Sequence, residues 1–487
     1  MFSANKITFR QANVKVCDVW GVRPPLSEFT GLFAERGQPG YEAARTGRVF
    51  NRRHPDRYPA AVLLAADDAD LAAGVRWARE RGLRVSVRAG GHSWAVWSVR
   101  DDALLIDLGE LRDMQYDPGS GVATVRPAVR GGTELAPFLA AHDRAFPGGH
   151  CESVGLGGYL LQGGQGWNGR AWGWACENVV GIDAVTADGR LVHADETEHA
   201  DLYWAARGAG PGFPALITRF YLRTYPKPLV MVQDTWTFPL ESAGPLLEWL
   251  HEILPGLHMS VEPVVAATRL PGVPLDDGVR RPDGTVLLLH TTVMGDSEAE
   301  VTGRLAVFDA GPLAGRRLGH VRGLTTIAAE NEAQTLQNPV GHRYIVDCTW
   351  SDAPAASLAG PLQRIWSELP TEHSFSIWYG WAPSRPLPDM AFSVEANVYL
   401  ATYAIFTDPA DDERYAEWVH SRTRDLAAAG GCGVYLGDTD FQRRHDRFVS
   451  DPAFQRLAQV RADWDPDGLF CGYLAGADGQ LNMHAGD

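Results

Sequence analysis

Cysteine, long apolar runs and positive charge are all scarce in this chain of 487 residues. The 6 cysteines are scattered and include no Cys-x-x-Cys pair, so the sequence predicts neither a disulfide framework nor a cysteine-based metal site. No apolar stretch approaches the roughly 20 residues that span a bilayer, and the N-terminus lacks the basic start and apolar stretch of a signal peptide. We therefore expect no membrane association and a cytoplasmic location.

The balance of charge is acidic, because 44 Lys and Arg residues stand against 60 Asp and Glu residues, a formal net charge of −16. A nucleic-acid site needs clustered Lys and Arg to neutralise phosphates, so we expect no nucleic-acid partner. With 45% hydrophobic and 21% charged residues, the composition is that of an ordinary globular protein. The length allows about two or three folding units and leaves the oligomeric state open.

The first third of the chain predicts alternating helices and strands. Asp67 precedes a periodic apolar stretch, which predicts a helix that ends at Gly82. Alternating apolar residues over 83–87 predict a strand that runs directly into a Gly-Gly-His turn. Residues 181–193 predict a hairpin that turns at Asp188-Gly189.

Composition changes near residues 225–228, where two prolines follow Tyr225, and we expect a domain boundary there. The following segment alternates extended stretches with a few helices, which predicts an antiparallel sheet covered by helices on one face. Its longest alternating run, 391–406, would place Glu395 and Tyr399 on one face of a single strand. Glu395 and Tyr399, together with Tyr379 from another extended stretch of this segment, are secondary candidates for a catalytic group.

Two glycine-rich segments carry the main chemical signal. In the first, His92 directly follows Gly90 and Gly91 after the predicted strand; in the second, Cys151 precedes a run that begins at Val154. Glycines let the backbone come close to a ligand, so that several N–H groups converge on a pyrophosphate. The arrangement departs from the GxGxxG-helix form of dinucleotide sites, so we do not predict a Rossmann domain. A metal site formed by His92, His150 and Cys151 is the alternative, although no fourth ligand follows at a usual spacing.

These segments resemble the FAD-linked oxidases of the vanillyl-alcohol oxidase superfamily, and specifically the berberine-bridge-enzyme-like branch. The resemblance covers about residues 58–225 and, less closely, the C-terminus from 432, which includes the family's closing motif at 463–470. It implies an α+β, two-domain FAD-binding fold with a discontinuous FAD domain in residues 1–225 and 431–487. An antiparallel-sheet substrate domain in residues 226–430 would be inserted between the two parts.

The resemblance also implies that FAD is bonded covalently to both His92 and Cys151, and it implies no metal. Electron-withdrawing attachment raises the potential of the flavin, while the protein supplies orientation and electrostatics. One departure from the family pattern is Phe213-Pro214, where members usually show Phe-Gly. The cofactor-binding residues that the resemblance implies are Val87, Arg88, Ala89, Gly90, Gly91, His92, Ser93, Cys151, Val154, Gly155, Gly157, Gly158, Gly164, Gly166, Gly173 and Asn178.

Removal of a hydride from a C–OH or C–N group requires a base for the proton that leaves. In the family this base is often a tyrosine of a Tyr-x-Asn-Tyr segment, and the matching positions here are Tyr435 and Asp438. Asp438 replaces the second tyrosine, so it is a candidate to act as the base itself or to activate Tyr435. The alternative interpretation is a surface turn.

The expected function is that of a flavin oxidase. A hydride would pass from an alcohol or amine carbon of a bulky small molecule, either a secondary metabolite or a saccharide, to the flavin. Molecular oxygen would then reoxidise the flavin and form hydrogen peroxide. Two alternatives stay open: a dehydrogenase that uses another electron acceptor, and a flavin-binding protein that has lost catalysis.

Overall fold

The first glycine-rich segment directly follows one strand of a four-stranded sheet near the start of the chain. The structure, a computed structural model, describes residues 28–269, 284–383, 385–439, 441 and 443–474. In the sheet order β1-β2-β4-β3, β2 and β3 run parallel to β4, and β1 pairs antiparallel with β2. These strands and the first two helices are β1 Leu32–Glu35, α1 Tyr41–Thr46, β2 Ala61–Leu64, α2 Asp68–Glu80, β3 Arg84–Arg88 and β4 Ala103–Asp107.

Local signals account for α2 and β3. The Asp67 carboxylate accepts a hydrogen bond from the backbone N–H of Asp70 and so caps the first turn of α2, as the sequence predicts. Beyond the helix, Gly82 adopts a left-handed conformation with φ of 63°, which turns the chain into β3. The predicted helix and strand are both confirmed.

A five-stranded antiparallel sheet follows, in the order β5-β6-β10-β8-β9, and β7 pairs with β11 alone. The hairpin expected over 181–193 is confirmed by β8 and β9. The elements of this region are β5 Met114–Asp117, β6 Val122–Val125, α3 Ala136–Ala140, β7 Arg144–Ala145, α4 Leu156–Leu161, α5 Gly169–Trp172, β8 Val179–Val185, β9 Leu191–Ala194, α6 Ala200–Ala206, β10 Leu216–Arg223 and β11 Tyr225–Pro226.

The largest sheet has eight antiparallel strands in the order β15-β12-β14-β13-β17-β18-β16-β19. Its strands and helices are β12 Val230–Pro239, α7 Ala243–Ile253, β13 Val261–Arg269, β14 Thr285–Gly295, α8 Glu298–Asp309, β15 Gly319–Leu324, α9 Ile327–Gln337, β16 Arg343–Ser351, α10 Ala355–Ser367, β17 Phe375–Gly380, β18 Val398–Phe406, α11 Asp412–Ala428 and β19 Gly431–Gly433.

The two faces of this sheet have different neighbours. Val265, Leu287 and Trp378 are buried in a core that also contains apolar residues of α7, α8 and α10. Because side chains alternate along a strand, Val264 and Ala266 point to the opposite face, which forms one wall of a cavity. The expected antiparallel sheet is therefore confirmed, but its helices are not all on one face, because α9 lies on the cavity side, where Glu330 approaches His290.

The long strand expected over 391–406 is wrong in its first half. Only Val398–Phe406 forms a strand, and all of its residues are buried, so the sequence alternation does not reflect one exposed face. Residues before it follow an irregular path: the backbone N–H of Phe392 donates to the carbonyl oxygen of Arg207. Glu395 precedes the strand, and its Oε2 accepts hydrogen bonds from Trp174 and Trp381 instead of facing the same side as Tyr399.

After the eight-stranded sheet, the chain returns to the first sheet through α12 (Asp451–Trp464). Beyond α12, the backbone N–H of Val85 donates to Leu469 O at 2.7 Å, and that of Cys471 donates to Val85 O at 2.8 Å. A segment near the C-terminus thus bridges to β3 of the first sheet, which agrees with the discontinuous FAD domain that the resemblance implies. The boundaries at 225/226 and 430/431 remain predictions. Within the described residues, every helix is too short or too polar to span a membrane.

Candidate active site

The two glycine-rich segments pack directly against each other. A Cβ atom on Gly90 would lie 2.6 Å from the backbone nitrogen of Gly155, and one on Gly157 would lie 2.8 Å from Cβ of Ala89. Gly91 has φ of 76°, and a Cβ there would lie 2.0 Å from the carbonyl oxygen of Arg48. Glycine is thus required at these positions, because a side chain would push the two loops apart or, at Gly91, collide with the backbone of Arg48.

These loops and the inner face of the eight-stranded sheet enclose a cavity of about 640 Å³, within the size range of small-molecule sites. The cavity contains most of the cofactor-binding residues that the sequence predicts. Those that line it are Val87, Arg88, Ala89, Gly90, Gly91, His92, Ser93, Cys151, Val154, Gly155, Gly157 and Gly158.

Several features of this cavity fit a flavin dinucleotide. Among the described residues, the backbone N–H groups of Gly90, Gly91 and His92 donate to no acceptor, so they are available to a pyrophosphate. A Cβ on Gly158 would meet no protein atom within 4 Å, which leaves room for a ligand against α4. The buried Nε2 atom of Gln165, another lining residue, has no hydrogen-bond partner in the described part of the chain. These donors and this space suit FAD.

His92 is held in one orientation. Its Nε2 atom lies 2.9 Å from Oγ of Ser153, and its ring stacks on Phe50 with 4.2 Å between centroids. Burial, with a smaller contribution from Arg130, lowers the pKa of His92 to about 4, so the imidazole is neutral at pH 7. Its Nδ1 atom makes no hydrogen bond within the described ranges, so this atom is free to react.

Cys151 lines the same cavity as His92. Burial raises the pKa of its thiol to about 12, and the negative charge of Asp438 adds to this effect. For the alternative metal site, the described residues contain no group of three or more His, Cys, Asp or Glu side chains that could hold a metal ion. Nearby His150 is held edge-on against Trp167.

Asp438 accepts hydrogen bonds from three side chains. Trp94 Nε1 donates to Oδ1 at 2.8 Å, while the hydroxyls of Tyr399 and Tyr403 donate to Oδ2 at 2.6 and 2.9 Å. Burial raises the pKa of Asp438, and the three donors oppose this shift because they stabilise the anion. The interpretation as a surface turn is wrong, since Asp438 lines the cavity.

Tyr435 lies in the cavity wall but is oriented differently. Its hydroxyl oxygen accepts backbone N–H groups of Gly164 and Gln165 at 3.3 and 3.4 Å. Burial raises the pKa of Tyr435, and the nearby charge of Asp438 raises it further, so the phenol stays protonated at neutral pH. No hydrogen bond joins the Tyr435 hydroxyl to Asp438 in the described structure.

Several polar side chains on the cavity wall formed by the eight-stranded sheet, called the sheet wall below, already have hydrogen-bond or ionic partners. Glu262 accepts a hydrogen bond from the Tyr379 hydroxyl at 2.9 Å and one from the backbone N–H of Asn168 at 2.7 Å. Nε2 of His290 lies 3.2 Å from a carboxylate oxygen of Glu330. Tyr379, a candidate base from the sequence, is thus committed to a buried carboxylate.

The middle of the same wall is apolar. Ala266 pairs with Leu288 on one side and with Ile377 on the other. Val264 and Phe375 extend this surface, and all of these side chains line the cavity. A ligand in contact with this wall buries apolar surface there, which stabilises its complex by roughly 25 cal/mol per Å².

A family profile described as an FAD binding domain matches residues 59–195. An FAD-linked oxidoreductase of Penicillium ochrochloron, ptmO, is 36% identical over 437 residues, which cover 88% of this chain and 93% of that protein. This chain is an FAD-linked oxidoreductase. The solved structure of BBE-like 1 from Physcomitrella patens covers 96% of this oxidoreductase and 98% of its own chain, with a TM-score of 0.77 at 18% identity. The expected berberine-bridge-enzyme-like fold is confirmed.

A saccharide oxidase is also similar to this FAD-linked oxidoreductase, over a shorter stretch. The glucooligosaccharide oxidase of Sarocladium strictum is 32% identical over 231 residues. The match covers 46% of this chain and 45% of that protein.

Four residues predicted to bind the cofactor do not line the cavity: Gly164, Gly166, Gly173 and Asn178. Their contacts are internal to the protein. A Cβ on Gly166 would lie 2.5 Å from the carbonyl oxygen of Gly148, and the Asn178 amide donates to the carbonyls of Trp172 and Trp174. The backbone N–H of Gly164 donates to the hydroxyl of Tyr435, which does line the cavity. A role of these four residues in binding the cofactor stays a prediction.

The side chain of Arg88 is likewise structural. It forms a buried ion pair with Asp107 at 2.6 Å, so only the backbone of Arg88 faces the cavity.

The sequence did not single out Trp94, Ser153 or Tyr403 as functional residues. Tyr399 and Tyr403 are four positions apart in one strand, so they share a face. This spacing could have indicated that Tyr403 lies beside the candidate Tyr399. Nothing in the sequence indicates that Trp94 or Ser153 contacts a site residue.

Proposed function

We propose that this FAD-linked oxidoreductase is an oxidase that acts on an alcohol or amine carbon of a bulky small molecule, with FAD bonded covalently to His92 and Cys151. One observation carries the proposal: a single cavity contains His92, Cys151 and Asp438 together with the free N–H groups of the first glycine-rich loop. The flavin, when bound, accepts the hydride and is reoxidised by molecular oxygen, which yields hydrogen peroxide.

The state of His92 supports attachment. A neutral imidazole keeps the lone pair that a new bond needs, and the low pKa of His92 provides it. Because Nε2 is hydrogen-bonded to Ser153, Nδ1 is the ring atom that remains to bond to FAD. The Cys151 thiol makes no hydrogen bond among the described residues, but its raised pKa keeps it protonated at neutral pH, so it has to lose its proton before it bonds to FAD.

For removal of the proton, we assign the final acceptor to Asp438 and a supporting role to Tyr435. The reference pKa of a carboxyl group is about 3.9 and that of a phenol about 10, so a carboxylate is the available base near neutral pH. Tyr435 stays protonated and is able to donate a hydrogen bond to a substrate oxygen. Both residues line the cavity.

The sheet wall bears on the class of substrate. Its apolar centre of Ala266, Leu288 and Ile377 favours a largely apolar secondary metabolite, since a saccharide would lose hydration of its hydroxyls there. A saccharide is the second candidate, because of the similarity to the glucooligosaccharide oxidase.

Two measurements test the proposal. Acid-precipitated protein should stay yellow, and peptide mass analysis should place flavin on both His92 and Cys151; free FAD in the supernatant would contradict attachment. Anaerobic mixing with geraniol, benzyl alcohol, benzylamine or cellobiose should bleach the visible flavin band, and air should then release hydrogen peroxide. Bleaching without peroxide would indicate a dehydrogenase, and no bleaching by any of the four would refute the proposed oxidase activity.

A further inference from the structure

Two tyrosines of β18 donate to the same oxygen of Asp438, but only one of them reaches the cavity. Tyr399 and Tyr403 both donate to Oδ2. The side chain of Tyr399 is fully buried, with 0% exposure, and it is not part of the cavity wall. Tyr403 is 8% exposed and lines the cavity. A substrate in the cavity therefore contacts the side chain of Tyr403 and not that of Tyr399.

The surroundings of Tyr403 fix its ring in place. It stacks on Phe375 with 4.4 Å between centroids and 19° between planes, and Trp94 meets it edge-on at 6.2 Å. Trp94 itself donates to the other oxygen of Asp438. The side chain of Tyr403 is thus fixed in the cavity wall, with its hydroxyl bonded to a carboxylate whose other contacts are also fixed.

We propose that Tyr403 receives the proton of the substrate and passes it to Asp438, so that Tyr403 is a catalytic residue of this oxidoreductase. This inference rests on the proposed function, which names Asp438 as the final acceptor. In the proposed function alone, Asp438 could take the proton directly; here it acts through Tyr403.

The Tyr403 hydroxyl proton moves to Oδ2 of Asp438 while the phenolic oxygen takes the proton of the substrate hydroxyl, so Tyr403 ends neutral and Asp438 ends as a carboxylic acid. The electron pair of the substrate O–H bond becomes the second bond of the new carbonyl. The electron pair of the C–H bond leaves as a hydride, and FAD is the oxidant that accepts it.

The charges around Asp438 favour this direction. The titratable groups that act on it or feel its charge are the phenols of Tyr399, Tyr403 and Tyr435 and the thiols of Cys151 and Cys348. None of these groups is a cation, so neutral donors alone stabilise the carboxylate. Burial raises the pKa of Asp438, which makes its carboxylate a better acceptor for the relayed proton.

The test compares Tyr403→Phe with Tyr399→Phe, because each variant removes one donor from the same oxygen. Anaerobic flavin reduction is measured with whichever of geraniol, benzyl alcohol and cellobiose reduces the wild type fastest. We expect Tyr403→Phe to lower the plateau rate by about 10²–10⁴-fold, the usual effect of losing a general base. Tyr399→Phe should lower it by less than about tenfold.

A second measurement does not depend on turnover. The infrared carboxyl band of Asp438, assigned by its loss in Asp438→Asn, is titrated in the oxidised holoenzyme of each variant. Each tyrosine variant loses one hydrogen bond to the anion, so both should raise the pKa of Asp438 by similar amounts. Similar pKa shifts with very different reduction rates would support a relay, since a structural role predicts that the two effects change together.

The other outcomes overturn the relay. If Tyr403→Phe keeps the wild-type plateau and only moves its rise to higher pH, Asp438 takes the proton directly. If Tyr403→Phe and Tyr399→Phe slow reduction equally, both tyrosines only position the carboxylate. If the wild type is not reduced by any of the alcohols, or Asp438→Asn reduces at the wild-type rate, then the proposed function fails and the relay fails with it.

Discussion

Asp438→Asn should inactivate this oxidoreductase without unfolding it. The substitution keeps the shape of the side chain and removes its charge. Trp94 can only donate, so the amide oxygen must face it, and the amide nitrogen then faces Tyr399 and Tyr403. Hydroxyl groups can rotate and accept, so both tyrosines can still pair with the new amide. The contacts of the site are rearranged rather than lost.

The expected loss of activity is large. A missing general base lowers a rate by about 10²–10⁴-fold, which corresponds to about 3 to 5 kcal/mol in the activation barrier. Tyr435→Phe should be milder, because its phenol remains protonated in the reaction as we propose it. The assay is anaerobic stopped-flow reduction of the flavin by the fastest alcohol of the four probes.

Asp438→Asn should stabilise the folded protein at neutral pH, although it removes activity. Burial raises the pKa of Asp438 in the folded protein above that in the unfolded chain, so the folded protein binds more protons at intermediate pH. Stability therefore falls as the pH rises through this window, and the ionised carboxylate is a cost at neutral pH. Asp438→Asn removes that cost, so its Tm should equal or exceed that of the wild type at pH 7.

This advantage in Tm should shrink in acid, where the wild-type carboxyl is also neutral. Thermal melts at neutral and acidic pH measure the difference. Reduction at the wild-type rate, or a neutral-pH Tm well below that of the wild type, would refute the reasoning.

Cys151→Ala should retain flavin through His92 but reduce it more slowly, which acid precipitation and stopped-flow reduction would detect; loss of all attached flavin would contradict two independent bonds. Gly158→Ala should keep or raise the melting temperature of the flavin-free protein, because its Cβ meets no protein atom and alanine favours a helix by about 1 kcal/mol. It should nevertheless lower the flavin-to-protein absorbance ratio, and an unchanged ratio would show that the flavin lies elsewhere. Gly90→Ala is the contrasting variant and should lower both quantities, since its Cβ would lie 2.6 Å from Gly155 N.

The sequence predicts well those parts of the fold that depend on neighbours in the chain. The cap at Asp67, the turn at Gly82 and the hairpin of β8 and β9 are all local, and the structure contains them as expected. The glycines of the two loops are also recognisable, although the sequence assigns them to a pyrophosphate alone. The structure adds a second reason, which is the contact between Gly90 and Gly155.

The setting of Asp438 could not be predicted in the same way. Its hydrogen-bond donors are separated from it by 344 residues at Trp94 and by 39 and 35 residues at Tyr399 and Tyr403. Only the tertiary fold brings them together, so a surface turn and a buried base looked alike in the sequence. Glu395 shows the reverse error, because a regular alternation of residues does not by itself make a strand.

In the eight-stranded sheet, residues that stabilise the fold alternate with residues that contact a ligand. Val265 and Trp378 stabilise the helix-covered core, while Val264 and Ile377, their neighbours in sequence, contact whatever enters the cavity. A substitution at a cavity-facing position therefore changes the shape offered to a ligand and leaves the packing of the helix-covered core intact. New substrate ranges can therefore evolve, or be selected in a library of such positions, while the helix-covered core keeps its packing.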